Sequence, residues 1–113
     1  MKPFWKGEIL QAMNNLNSCD KMALVEVIYE GDHCVPCVYM AEVVEEAVKK
    51  FEDRVRWEKV VLKRRKGVQR YAELSVKYGR VAPIPSLFVN EKMVFDMIPP
   101  VEDLEDYLEE ILK

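Results

Sequence analysis

The chain reads as one α/β domain over residues 1–113, a four-stranded mixed sheet flanked by helices, and three observations carry that reading. Apolar residues change period along the sequence, from helical stripes to short β-rich runs and back, in the order α, β, α, β, α. Two further short runs then stand close enough to pair as an antiparallel hairpin. A last amphipathic stripe closes the sequence, and no repeat, linker or low-complexity segment interrupts it.

Phe4, Trp5, Ile9, Leu10, Met13 and Leu16 recur at helical spacing behind Pro3, which predicts a helix over 3–16. ALVEVIY, residues 23–29, is too short for a comfortable helix and apolar on both parities, the pattern of a strand buried on both faces. From Pro36 to about Phe51, the residues Met40, Val44, Ala47, Val48 and Phe51 form one inward stripe, the longest helix expected. RWEKVVL, residues 56–62, is the second strand. KRRKG separates it from a helix over 67–78, which Gly79 ends by adopting a positive φ. SLFV and MVF are short strands joined by Asn90 and Glu91. Pro99 and Pro100 introduce the final helix, with Val101, Leu104, Leu108 and Ile111 inward. One βαβ unit, a helix, a hairpin and a closing helix make a mixed sheet covered on both faces.

Composition narrows the function classes. A chain of 113 residues buries roughly 65% of the surface it exposes when unfolded, so it folds without staples. With 17 basic and 20 acidic residues the net charge is -3, and no global field draws it to nucleic acid or an anionic membrane. MKPFWKGEIL lacks the continuous apolar core of a secretory signal, and no stretch approaches the roughly 18 apolar residues of a membrane span. The expectation is a cytoplasmic protein. Three cysteines are too few and too unevenly spaced for a secreted disulfide framework. In a reducing compartment, a close pair points to redox catalysis or metal binding.

That pair lies in GDHCVPCVYM, residues 31–40, where Cys34 and Cys37 flank Val35-Pro36 behind His33. It could be a redox couple, part of a metal site, or packing. Three features together resemble the thioredoxin family: an extra N-terminal helix, a strand running into C-x-P-C at a helix start, and an X-Pro before a later hairpin. HCVPC, YGRVAPIPSLFVN and the VEDLEDYLEEIL helix fall in that family's order across nearly the whole chain.

The resemblance implies a thioredoxin-like fold and thiol–disulfide exchange, and chemistry accounts for the residue types. Only a thiolate breaks a disulfide, and a helix N-terminus offers unpaired N–H groups and partial positive charge that favour the thiolate. Cys34 precedes the helix and is the expected nucleophile. Cys37, within the first turn, is the expected resolving thiol. Pro36 has no N–H to leave unpaired and fixes φ near the helical value. By the same resemblance, Ile84-Pro85 is a cis peptide beside the pair, leaving the Ile84 backbone free to hold an extended substrate as an added strand. His33, Val35, Pro36, Ile84 and Pro85 form the expected substrate surface, with Ala82-Pro83 a competing X-Pro nearby.

The family's buried acid falls on Ile28 in a gapless count from Cys34. If Gly31 and Asp32 are an insertion, Glu26 takes its place as proton acceptor, because burial disfavours the charged carboxylate. The alternative is that Glu26 reaches water or pairs with a cation. His33 stands where the family usually has tryptophan. A protonated imidazole favours the Cys34 thiolate while Asp32 and Glu30 oppose it, which leaves the net sign open. Glutaredoxins are similar in size, but NEKMVFDMIPP lacks the glycine pair of their glutathione site. Lys63, Arg64, Arg65 and Lys66 are either a solvated run or a surface for an acidic partner. Cys19 reads as a free thiol, since adjacent His33 and Cys34 converge poorly on one zinc.

No nucleotide, P-loop, serine-hydrolase or zinc-protease motif is present. The expected function is reduction of protein disulfides by a monomeric enzyme without a cofactor, supplied with electrons by an upstream reductase. Two other readings stand beside it: a metal or iron–sulfur carrier through Cys34 and Cys37, and a non-catalytic module that uses the groove alone.

Overall fold

The computed structural model describes residues 22–113; the helix expected over 3–16 and Cys19 lie outside them. Strand β1 (Ala23–Tyr29) leads to helix α1 (Val35–Val48), a 3₁₀ segment (Lys49–Arg54) and strand β2 (Val55–Val61). Helix α2 (Arg65–Tyr78), strands β3 (Leu87–Val89) and β4 (Lys92–Phe95), and helix α3 (Val101–Ile111) follow. The sheet order is β2-β1-β3-β4. β1 and β2 are parallel, and the other two pairings are antiparallel.

β1 is flanked by strands on both sides, which is why its sequence is apolar at nearly every position. Its odd residues Val25 and Val27 pack with Met40, Val44 and Ala47 of α1 and with Leu104 and Leu108 of α3. On the other face Ile28 joins Val60, Phe88, Ala82 and Leu74 of α2. Each such fully buried side chain contributes about 1.5–3 kcal/mol by leaving water. Cross-strand partners share a face, so Val27 opposite Leu87 and Glu26 opposite Phe88 assign every residue of β1 to a side.

Two expected boundaries change. α1 ends at Val48, and Phe51 belongs to the 3₁₀ segment, where Glu52 has φ 52°. The KRRKG run does not separate β2 from α2; Arg65, Lys66 and Gly67 are the first helical residues. Gly67 explains this early start, because a Cβ there would lie 1.8 Å from the Val61 carbonyl oxygen. Only glycine lets α2 begin so close to the end of β2. The hairpin turn has φ 52° at Asn90 and 71° at Glu91, as a two-residue connection between twisted strands requires.

Because β1 and β2 run parallel and β3 returns antiparallel, one end of the sheet collects four connections. The loops β1–α1 and β2–α2, the Ile84-Pro85 approach to β3 and the exit from β4 all lie there.

Candidate active site

The β1–α1 loop, residues 30–34, contains a four-residue turn in which the Cys34 N–H donates to the Gly31 carbonyl at 3.0 Å. The turn stops the strand and sets Cys34 at the N-cap of α1 in an extended conformation (φ -89°, ψ 99°). Its sulfur takes the role that a serine or aspartate oxygen plays at other helix starts, accepting the Cys37 N–H at 3.3 Å. Pro36 lies in the first turn and brings no N–H of its own, and no acidic residue is present there. The Cys34 sulfur is thus a hydrogen-bond acceptor at the positive end of α1.

The two sulfurs are joined as a disulfide, with Cα atoms 5.2 Å apart. Their surroundings differ: Cys34 is partly exposed, whereas Cys37 is fully buried against Tyr29 and Ala41. Cys37 Sγ also accepts the Glu30 N–H at 3.5 Å. A reagent from solvent therefore meets Cys34 first.

Tyr29, at the end of β1, is buried, and its hydroxyl donates to Asp32 Oδ1 at 2.6 Å. That bond, then burial, then the Asp32 charge raise the phenol above its ordinary value, so it stays protonated. The Lys59 ammonium lies 4.6 Å from the centre of the same ring. His33 is exposed, with its Nε2 3.7 Å from Glu30 Oε2. The imidazole rests over Gly31, where an added side chain would meet ring atoms at 2.9 Å.

Val35 and Pro36 are exposed on the first turn of α1, and Ile84 is exposed as well. The Ile84-Pro85 peptide bond is cis. The Ile28 N–H donates to the Ser86 carbonyl at 2.9 Å, so Pro85 comes level with Tyr29, at the sheet end from which the cysteine loop departs. Ala82-Pro83 is not cis, and Ala82 is buried beneath α2.

Glu26 is buried as expected, but it stands on the α2 face of the sheet, whereas Cys37 packs on the α1 face. Both of its oxygens are engaged: Arg70 Nε donates to Oε2 at 2.6 Å and Arg70 Nη2 to Oε1 at 2.8 Å. Arg70 also reaches Glu73 and Glu91, each at 3.0 Å. The proton-acceptor expectation finds no geometric support. The observed role is the alternative one, a buried ion pair with a cation.

Sequence reasoning missed Tyr29, Gly31 and Arg70. The Tyr29–Asp32 pair had a signal, since a tyrosine ending a buried strand needs a hydroxyl partner and the acid follows three residues later. Arg70 had none, being 44 residues from Glu26. Among the described residues, no group of three or more His, Cys, Asp or Glu side chains is placed to hold a metal ion, and no helix is long and apolar enough to cross a membrane.

No family model and no curated protein matches the chain by sequence. Solved structures do match by shape. One, described as the structure of a malarial protein, is similar over 82% of this chain and 100% of its own, with TM-score 0.59 and 16% identity. Another is a thioredoxin-2, a component of malaria parasite protein secretion machinery. It covers 79% of this chain and 82% of its own, with TM-score 0.56 and 17% identity. Likeness at this identity concerns the fold, and the chain has a thioredoxin-like fold with a close cysteine pair at the start of α1.

Proposed function

We propose that this protein is a thiol–disulfide oxidoreductase that reduces disulfides of protein substrates. A redox role is supported by the fold together with the cysteine pair. The finer reading rests on one observation: a partly exposed Cys34 sulfur at the N-cap of α1, facing the Cys37 N–H, with the fully buried Cys37 sulfur as its partner.

In the reducing direction, the Cys34 thiolate attacks one sulfur of the substrate disulfide. That bond breaks, the leaving sulfur takes a proton, and Cys34 is held in a mixed disulfide. Cys37 then loses its proton and attacks the Cys34 sulfur, forming the intramolecular disulfide and releasing the second substrate thiol. Two electrons and two protons have passed to the substrate. A dithiol reductase upstream returns two electrons to the Cys34–Cys37 disulfide before the next cycle.

Val35, Pro36, Ile84 and Pro85 supply the surface around the sulfur, and the Ile84 backbone is the edge on which an extended substrate segment pairs. His33 lies beside it. The protein acts as a monomer in a reducing compartment such as the cytoplasm, with no organic cofactor.

The test is steady-state reduction of a peptide disulfide, with dithiothreitol as electron source, by wild-type, Cys34→Ser and Cys37→Ser proteins. Sustained turnover by the wild type and none above background by Cys34→Ser is the expected pattern, with Cys37→Ser turning over only as fast as dithiothreitol resolves its mixed disulfide. Equal rates in all three proteins would refute the reading.

A further inference from the structure

Five cations follow one another along the chain from β2 to the start of α2. Lys59 is on β2, Lys63 and Arg64 form the turn after it, and Arg65 and Lys66 begin α2. All five are exposed, and among the described residues none pairs with a carboxylate. Some cations elsewhere do: Lys49, Lys50, Arg70 and Lys77 each reach a glutamate.

Their placement is unfavourable for the helix. The first turn of a helix prefers acids, and α2 has none there; Arg64 at its N-cap makes no capping hydrogen bond. A local rule broken without structural return marks a functional surface. Gly67 fixes that surface in place, since it seats the first turn of α2 against the Val61 carbonyl.

Three of the cations, Lys59, Lys63 and Arg64, line a cavity of about 440 Å³ together with Asp32 and His33. It adjoins the reactive sulfur through a short chain of contacts. A Cβ on Gly31 would lie 3.1 Å from Lys63 Cε, and the Gly31 carbonyl accepts the Cys34 N–H. Of the loop's own acids, Asp32 lines the cavity with its Oδ1 held by the Tyr29 hydroxyl, and Glu30 lies toward His33.

We propose that this cavity docks an acidic segment of the protein substrate, so that the preferred substrates carry Asp or Glu beside the target cysteine. The proposal rests on the oxidoreductase reading and names its substrate class. An acidic peptide suits the site better than a nucleic acid, because the cavity presents three cations on a chain whose net charge is -3, which repels a long polyanion.

The test compares two peptide disulfides identical except for Glu or Gln flanking the cysteines. Reduction of the Glu peptide is expected to be about tenfold faster in kcat/KM at low ionic strength. That preference should fade between about 0.01 M and about 1 M salt, as the Debye length shrinks from about 30 to about 3 Å. Lys63→Gln/Arg64→Gln should lower the Glu-to-Gln ratio toward one. Fluorescence anisotropy of labelled, cysteine-free Glu and Gln peptides reports docking without turnover and is expected to show the same preference.

Equal rates and equal binding for the two peptides overturn the proposal. So does a preference that survives in the double variant, or stronger competition by a single-stranded oligonucleotide than by the Glu peptide. Failure of the wild type to reduce even the neutral 2-hydroxyethyl disulfide, with the Glu peptide still bound selectively, instead removes the oxidoreductase reading and leaves the docking site standing.

Discussion

The backbone N–H of Cys37 faces the sulfur of Cys34 across 3.3 Å, so the two residues are joined both by their disulfide and by a hydrogen bond. That donor points at the sulfur on which the proposed thiolate charge would develop. Cys37 keeps a donor too, the Glu30 N–H at 3.5 Å, but no access to solvent. The pair is asymmetric in exposure, and the proposed order, Cys34 before Cys37, rests on that asymmetry.

Reduced protein in a Cys19→Ser background, treated briefly with limiting iodoacetamide at neutral pH, is expected to be alkylated at Cys34 with Cys37 spared. Peptide mapping by mass spectrometry checks it. Modification of both thiols at similar rates would mean that Cys37 is not sealed in solution.

The Glu26–Arg70 pair holds β1 to α2, with the carboxylate side chain 3% exposed and the guanidinium 25%. Arg70→Met strands a buried charge and is expected to lower stability by about 3–5 kcal/mol in urea unfolding, while Glu26→Leu/Arg70→Met recovers most of the loss. Glu26→Gln should leave the pH profile of peptide-disulfide reduction unchanged. A shifted profile would return Glu26 to proton transfer.

Tyr29 provides a signature at high pH. Its hydrogen bond to Asp32, with burial and the Asp32 charge, sets the folded phenol above the unfolded value of 10.0. The folded state therefore holds this proton more tightly. Its contribution is complete below the unfolded value and is lost as pH rises through the higher folded one. Thermal unfolding from neutral to strongly alkaline pH should show this loss in the wild type and a flatter limb in Tyr29→Phe. An identical limb in both proteins would contradict the Tyr29–Asp32 bond.

At Gly67 two effects oppose each other. Alanine improves helix propensity by about 1 kcal/mol, but its Cβ would fall 1.8 Å from the Val61 oxygen. Displacing α2 costs about 1–3 kcal/mol or more, so Gly67→Ala is expected to destabilise on balance. A rise in the denaturation midpoint would show that α2 does not rest on β2 as described.

The dithiol and the closing helix were legible because their signals are local. Cys34, Pro36 and Cys37 stand within four residues, and Leu104 and Leu108 stand one helical turn apart. Strand alternation puts Glu26 on the face of Ile28, but says nothing of what covers that face. Whether a buried carboxylate is a proton carrier or half of an ion pair depends on Arg70, which reaches it only after α2 has docked. The start of α2 was misplaced for a related reason. A run of four cations followed by glycine has poor helix-start chemistry, and the contact that places Gly67 in the first turn is with a backbone atom six residues earlier. Lys63 over Gly31 is likewise a relationship that the folded sheet end creates.

The central claim is that Cys34 attacks first and Cys37 resolves, and trapping tests it most directly. Cys37→Ser protein in a Cys19→Ser background is mixed with a defined peptide disulfide, quenched with acid and mapped by mass spectrometry without reductant. The account predicts a stable adduct through Cys34 that dithiothreitol dissolves and that the Cys34→Ser protein does not form. An absence of adduct, or an equal yield from Cys34→Ser protein that retains Cys37, would contradict it.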